Sequence, residues 1–122
     1  MKALDILKKV REILTPPRAW RQGAYVADDN GRYSVDAEGS RATCFCAFGA
    51  MLQARARLPG LDRDYVALYG AEDCLMAEIE ARYPSTYTSI PAWNDDEDLT
   101  HAEVLDTFDR AIERAQREDN TP

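Results

Sequence analysis

Cys44-Phe45-Cys46-Ala47-Phe48-Gly49-Ala50-Met51-Leu52 decides the fold. These residues carry no charge, in a chain where 30% of residues are charged. A helix that is apolar on every side has no face for water and belongs inside. Ala47, Gly49 and Ala50 are small enough to admit another backbone, the reason to accept a helix-weakening glycine there. The central helix is expected over about residues 43–57, capped by Ser40 or Thr43 and closed by Pro59-Gly60.

The rest of the chain reads as cover for this segment. Leu4, Ile6, Leu7, Val10, Ile13 and Leu14 form a helical stripe over residues 3–14, stopped by Thr15-Pro16-Pro17. Two β-prone runs, 24–27 and 32–35, flank Asp28-Asp29-Asn30-Gly31 and predict a hairpin over about 24–35. Tyr25 and Tyr33 are its natural cross-strand pair. Asp62 is the expected cap of a further helix with the apolar pattern Tyr65, Val66, Leu68 and Tyr69. Gly70 interrupts that pattern, which resumes from Cys74 to Tyr83, as two consecutive helices or one kinked helix. Residues 85–98 read as irregular. Thr100-His101-Ala102-Glu103 matches a capping box, and Val104, Leu105, Phe108, Ala111, Ile112 and Ala115 follow as a core stripe. Residues 118–122 read as a frayed tail. The sum is an α+β fold, mainly α, with four to five helices around the central one, and a single domain over 1–122.

Charge narrows the function. The net charge of −7 argues against nucleic-acid binding. Residues 1–23 hold six Lys or Arg against two acids, so the excess acid lies beyond them. A basic end on an acidic body steers an acidic partner or simply pairs internally. Asp5, Lys8 and Lys9 break up the N-terminal apolar residues, so no signal peptide is read there, and no apolar run approaches membrane-spanning length. Three cysteines, with Cys44 and Cys46 one residue apart, suit reduced thiols in a cytoplasm.

The sharpest catalytic pattern is a cysteine nucleophile. Cys46 near a helix N-terminus, Gln22 as oxyanion donor, His101 as base and Asn94 as orienting group are the residue types of a papain-like site. The apolar flanks of Cys46 argue for an inert, buried thiol instead. His101, the single histidine, reads as an exposed helix-start residue. Asp95-Asp96-Glu97-Asp98 lacks the glycine and spacing of a calcium loop, and Gly23, Gly31 and Gly39 are not spaced as a phosphate loop. No metal or cofactor is expected. Trp20 and Trp93 each stand beside polar groups, Gln22-Gly23 and Asn94-Asp95, which suits peptide or small-ligand recognition.

Trp20 with Gln22-Gly23-Ala24, the Gly31 turn, Phe45-Cys46-Ala47 with Gly49-Ala50, Trp93-Asn94-Asp95, and Thr100 with Glu103-Val104-Leu105 occur in that order. This order resembles a family of small bacterial and phage-associated proteins known only as a domain of unknown function, over residues 4–115. The resemblance implies a single domain in a bacterial or phage cytoplasm and supplies no reaction. Cys46 and Asn94-Asp95 match its pattern, whereas His101 falls at a variable position.

The expected site therefore joins Trp20, Gln22, Gly23, Cys46, Gly49, Trp93, Asn94 and Asp95. An open cleft there would be a binding site, and a filled one a structural lock. The expected function is a non-enzymatic accessory protein that binds a protein partner or small ligand. A cysteine-dependent hydrolase or transferase using Cys46 and a homo-oligomeric structural protein are the alternatives.

Overall fold

A computed structural model describes residues 2–30, 36–61 and 63–119. The first apolar stripe forms α1 (Lys2–Leu14), which buries Leu4, Ile6, Leu7, Val10, Ile13 and Leu14. Each such side chain contributes about 1.5–3 kcal/mol on leaving water. Pro16 and Pro17 end the helix and turn the chain through a 3₁₀ segment, Pro17–Ala19. Then come β1 (Val26–Ala27), β2 (Cys44–Phe45), α2 (Ala47–Arg57), α3 (Tyr65–Arg82), α4 (Ile90–Asn94) and α5 (His101–Asp119). The chain is thus mainly helical with a small antiparallel sheet. α1 packs on α2, α3 and α5. Phe45, Met51, Leu75, Ile79, Trp93, Val104 and Phe108 complete the core between them.

The start of the central helix differs from the sequence reading. Cys44 and Phe45 are strand, paired antiparallel with Ala27 and Val26 respectively. Phe45 is bonded along its other edge too, where its carbonyl accepts the Arg21 amide at 2.9 Å. With both edges engaged, the helix cannot begin before Ala47. Neither Ser40 nor Thr43 caps it. The Cys46 thiol does, accepting the Gly49 amide at 3.3 Å. The first run of the expected hairpin supplies β1, and the described partner of β1 is β2. Pairing with 32–35, including Tyr33, and the Gly31 turn lie outside the described residues.

Gly49 sits where the sheet meets α2. A Cβ there would lie 1.8 Å from the Tyr25 carbonyl oxygen, so only glycine permits this approach.

α3 is one helix rather than two. Gly70 lies at its crossing with α1, where a Cβ would stand 3.2 Å from the Cβ of Ala3. Asp64 caps α3, its carboxylate accepting the Ala67 amide at 2.9 Å. The expected cap, Asp62, lies outside the described residues. Tyr65, Val66 and Tyr69 do not join Leu68 in the core. They stand 56%, 83% and 58% exposed, because Ala67, Leu68 and Ala71 take the inward face.

α4 lies inside the stretch expected to be irregular. Ser89 accepts the Ala92 amide at 3.1 Å, and Pro91 occupies the first turn, where its missing N–H leaves no bond unmade. Thr100 caps α5 by accepting the Glu103 amide at 3.2 Å. The return half of the capping box is diverted, since the Glu103 carboxylate takes the hydroxyls of Thr100 and Tyr83. The last helix continues to Asp119, past the expected onset of fraying at 118. Among the described residues, no helix is long and apolar enough to cross a membrane.

Candidate functional site

Three segments far apart in sequence converge on the N-terminus of α2. Asn94, at the end of α4, is wholly buried. Its carbonyl oxygen accepts the Trp20 indole N–H at 2.7 Å and the Ala47 amide at 2.9 Å. Its amide nitrogen donates to the Arg21 carbonyl at 2.9 Å and to the Asp95 carboxylate at 3.2 Å. A carboxamide offers two acceptor and two donor positions, and here all four are used. The Ala47 amide is one of the orphan donors of a helix start, so a side chain from α4 completes α2. Gln22 reinforces the junction by donating to the carbonyls of Asn94 (3.0 Å) and Asp96 (2.6 Å). The Gly23 amide donates to Asp95 at 2.9 Å. The result is a filled knot rather than a cleft.

Trp93 behaves differently from Trp20. It is fully buried, and its indole N–H has no partner among the described residues. Of the two indoles set beside polar groups, Trp20 alone finds an acceptor there, in Asn94. Trp93 is core packing with one unsatisfied donor.

The catalytic reading meets four obstacles. Burial pushes the Cys46 thiol pKa up, with the nearby Asp95 charge raising it further against the Gly49 and Phe48 amides that lower it. The thiol sulfur is occupied as a helix cap. His101 is not a free helix-start residue: its Nε2 lies 2.6 Å from the Leu14 carbonyl oxygen. A carbonyl can only accept, so Nε2 carries the proton and closes the C-terminus of α1. The imidazole also lies against Trp20, with ring centroids 6.2 Å apart. Asn94 has no hydrogen-bonding capacity left for a histidine. No base, therefore, is aligned on the thiol by these groups.

Asp95 and Asp96 of the acidic run are engaged with the fold. Asp96 accepts the Tyr87 hydroxyl and the Asp98 amide, and Asp95 takes Gly23 and Asn94. Among the described residues no group of three or more His, Cys, Asp or Glu is arranged for a metal ion.

An opening remains beside the knot. A cavity of about 60 Å³ is lined by Gly23, Ala24, Tyr25, Cys46, Pro91 and Asp95. Tyr25 and Pro91 also line a groove of about 370 Å³, with Phe48, Glu72, Met76, Ser89 and Ile90. Tyr25 and Phe48 meet edge-on, with centroids 5.6 Å apart. Glu72 stands half-buried in this wall, and burial pushes its carboxyl pKa up, assisted by the Asp73 charge. The sequence reading did not single out Phe48, Glu72, Met76 or Pro91. The available signal was Phe48, a large aromatic in the apolar helix, paired with Glu72 and Met76 at helical spacing on α3.

No curated protein and no solved structure matches the chain. Its resemblance resolves at the level of a family: the model of DUF6197, a family of unknown function, matches residues 1–114, and the chain belongs to that family.

Proposed function

We propose that this is a non-enzymatic accessory protein of a bacterial or phage cytoplasm, binding a partner protein through the groove at Tyr25, Phe48, Met76 and Pro91. The observation that carries this reading is the groove itself, an aromatic and apolar concavity with a half-buried carboxylate, Glu72, in its wall. Such a surface suits an extended segment that presents an apolar side chain beside a lysine or arginine. The net charge of −7 draws a cationic segment and opposes self-association at low salt. The Asn94 knot ties the segment leading into Tyr25 and the helix carrying Pro91 to one end of α2. The walls are thereby preorganised, which lowers the entropy lost on binding. Three free thiols support a reducing compartment.

The test is selection of short displayed peptides on the protein. Enriched peptides should share an apolar residue next to Lys or Arg and should lose binding to Tyr25→Ser and Glu72→Gln variants. Enrichment without a basic residue, or equal binding to both variants, would sink the proposal. A homodimer is the second reading, favoured by the exposed Tyr65, Val66 and Tyr69 on α3. A solution mass that doubles with concentration, and fails to do so in Tyr69→Ser, would support it.

A further inference from the structure

A larger groove, of about 610 Å³, lies where the end of α1, the 3₁₀ turn, β2 and the end of α2 come together. It shares no lining residue with the groove at Tyr25 and Pro91. We propose that it binds a small organic anion, a carboxylate or phosphate head on an apolar body.

Two guanidinium groups, Arg18 and Arg57, line it. Neither is paired with a carboxylate among the described residues. Arg11, Arg55, Arg82, Arg110 and Arg114 each pair with a carboxylate. Arg57 instead donates its Nε to the neutral Gln53 side chain at 2.7 Å, and Arg18 has no side-chain partner among the described residues. A guanidinium fork left without a carboxylate is suited to grip an anion by two parallel hydrogen bonds.

The floor is apolar, formed by the buried Ile13, Ala19, Ala42 and Phe45. The rim adds hydroxyls from Ser40 and Thr43, which can donate to an anionic head. Asp29 also lies on the rim. It repels a second anionic group and accepts from a ligand hydroxyl or amine, so it selects a compound with one charged head. An apolar floor with a few converging polar groups, at this volume, is the composition of small-molecule sites.

Anilinonaphthalene sulfonate, a fluorescent anion with an apolar body, is the probe. Its titration should give saturable binding that Arg18→Gln/Arg57→Gln weakens by about tenfold or more, the loss expected for two charge-assisted contacts. Tyr25→Ser should bind it as the wild type does. Naphthoate and naphthyl phosphate, used as competitors, separate the two head groups: the stronger displacer identifies the preferred one. A matching thermal melt of the double variant shows that it folds. Affinity unchanged in the arginine variant, affinity lost equally in Tyr25→Ser, or no displacement by either competitor would overturn the proposal. The two grooves have disjoint linings, so peptide selection and anion titration fail independently.

Discussion

The knot around Asn94 and the groove beside Tyr25 are neighbours built from the same few segments, yet they obey opposite rules. In the knot each polar capacity of a buried carboxamide is matched. In the groove a carboxylate stands half-buried among aromatic and apolar side chains, and Tyr25 is 52% exposed. Saturated buried polarity holds a fold together, because it leaves nothing to offer a ligand. Unmatched polarity at an apolar surface does the reverse. The residues with the most suggestive chemistry, Cys46, Asn94 and His101, are the ones already committed to backbone.

The most damaging way to break this contrast is at Gly49. Gly49→Ala drives a Cβ into the Tyr25 carbonyl and parts the sheet from α2. We expect a loss at the upper end of overpacking, about 3 kcal/mol or more, read by chemical denaturation. A small loss would mean that the strand can slide away freely.

Asn94→Ala comes next. It strands the Trp20 indole, the Ala47 amide and the Arg21 carbonyl in a buried site. The expected cost is about 2–3 kcal/mol. An unchanged denaturation midpoint would show that the knot is not structural.

At the outer edge of the knot, Tyr87→Phe removes the hydroxyl bound to Asp96. That hydrogen bond, chiefly, holds the Asp96 carboxyl below its ordinary value, and pushes the Tyr87 hydroxyl up to about 12. A lowered carboxyl pKa stabilises above the unfolded value, about 4, and the effect is lost as pH falls through the folded value. A raised tyrosine pKa stabilises below about 10 and is lost as pH rises through the folded value. The wild type should therefore lead Tyr87→Phe by a constant margin in between, with the gap closing on both sides. Melting curves of both proteins across pH measure it, and a pH-independent gap would remove the pair from the account.

The smallest effect on stability belongs to the groove. Tyr25→Ser gives up one exposed ring and its edge contact with Phe48, so we expect less than about 1 kcal/mol. Binding of selected peptides should nonetheless disappear. A large loss of stability with peptide binding intact would invert the contrast between knot and groove.

Local pattern made much of this legible. The stripes of α1 and α5 follow from helical spacing, and the Thr100 cap from its partner at Glu103. The meeting of Trp20, Gln22 and Asn94 was foreshadowed because each segment sets large or polar groups in a place that ordinary packing would not choose. What stayed hidden depends on long-range pairing. Nothing local in Cys44-Phe45 says strand, because its reason is an edge supplied by Val26-Ala27 and another by Arg21. His101 could not be seen as the closure of α1, since its partner is 87 residues away. The grooves arise only once elements distant in sequence are placed together, α2, α3 and α4 around one and α1, β2 and α2 around the other.

The Asn94 knot also has a consequence for the order of events in folding. Its bond to Trp20 spans 74 residues, a closure whose entropic cost must be met before any bond in the knot forms. The helical turns of α1, α2 and α5 require only local contacts and can appear first. We therefore expect the knot to form on the native side of the folding barrier, as a late latch. Disturbing Asn94 would leave the refolding rate nearly unchanged and quicken unfolding. The residue at the centre of the molecule's polar network would thus set how long the fold persists, rather than how fast it is reached.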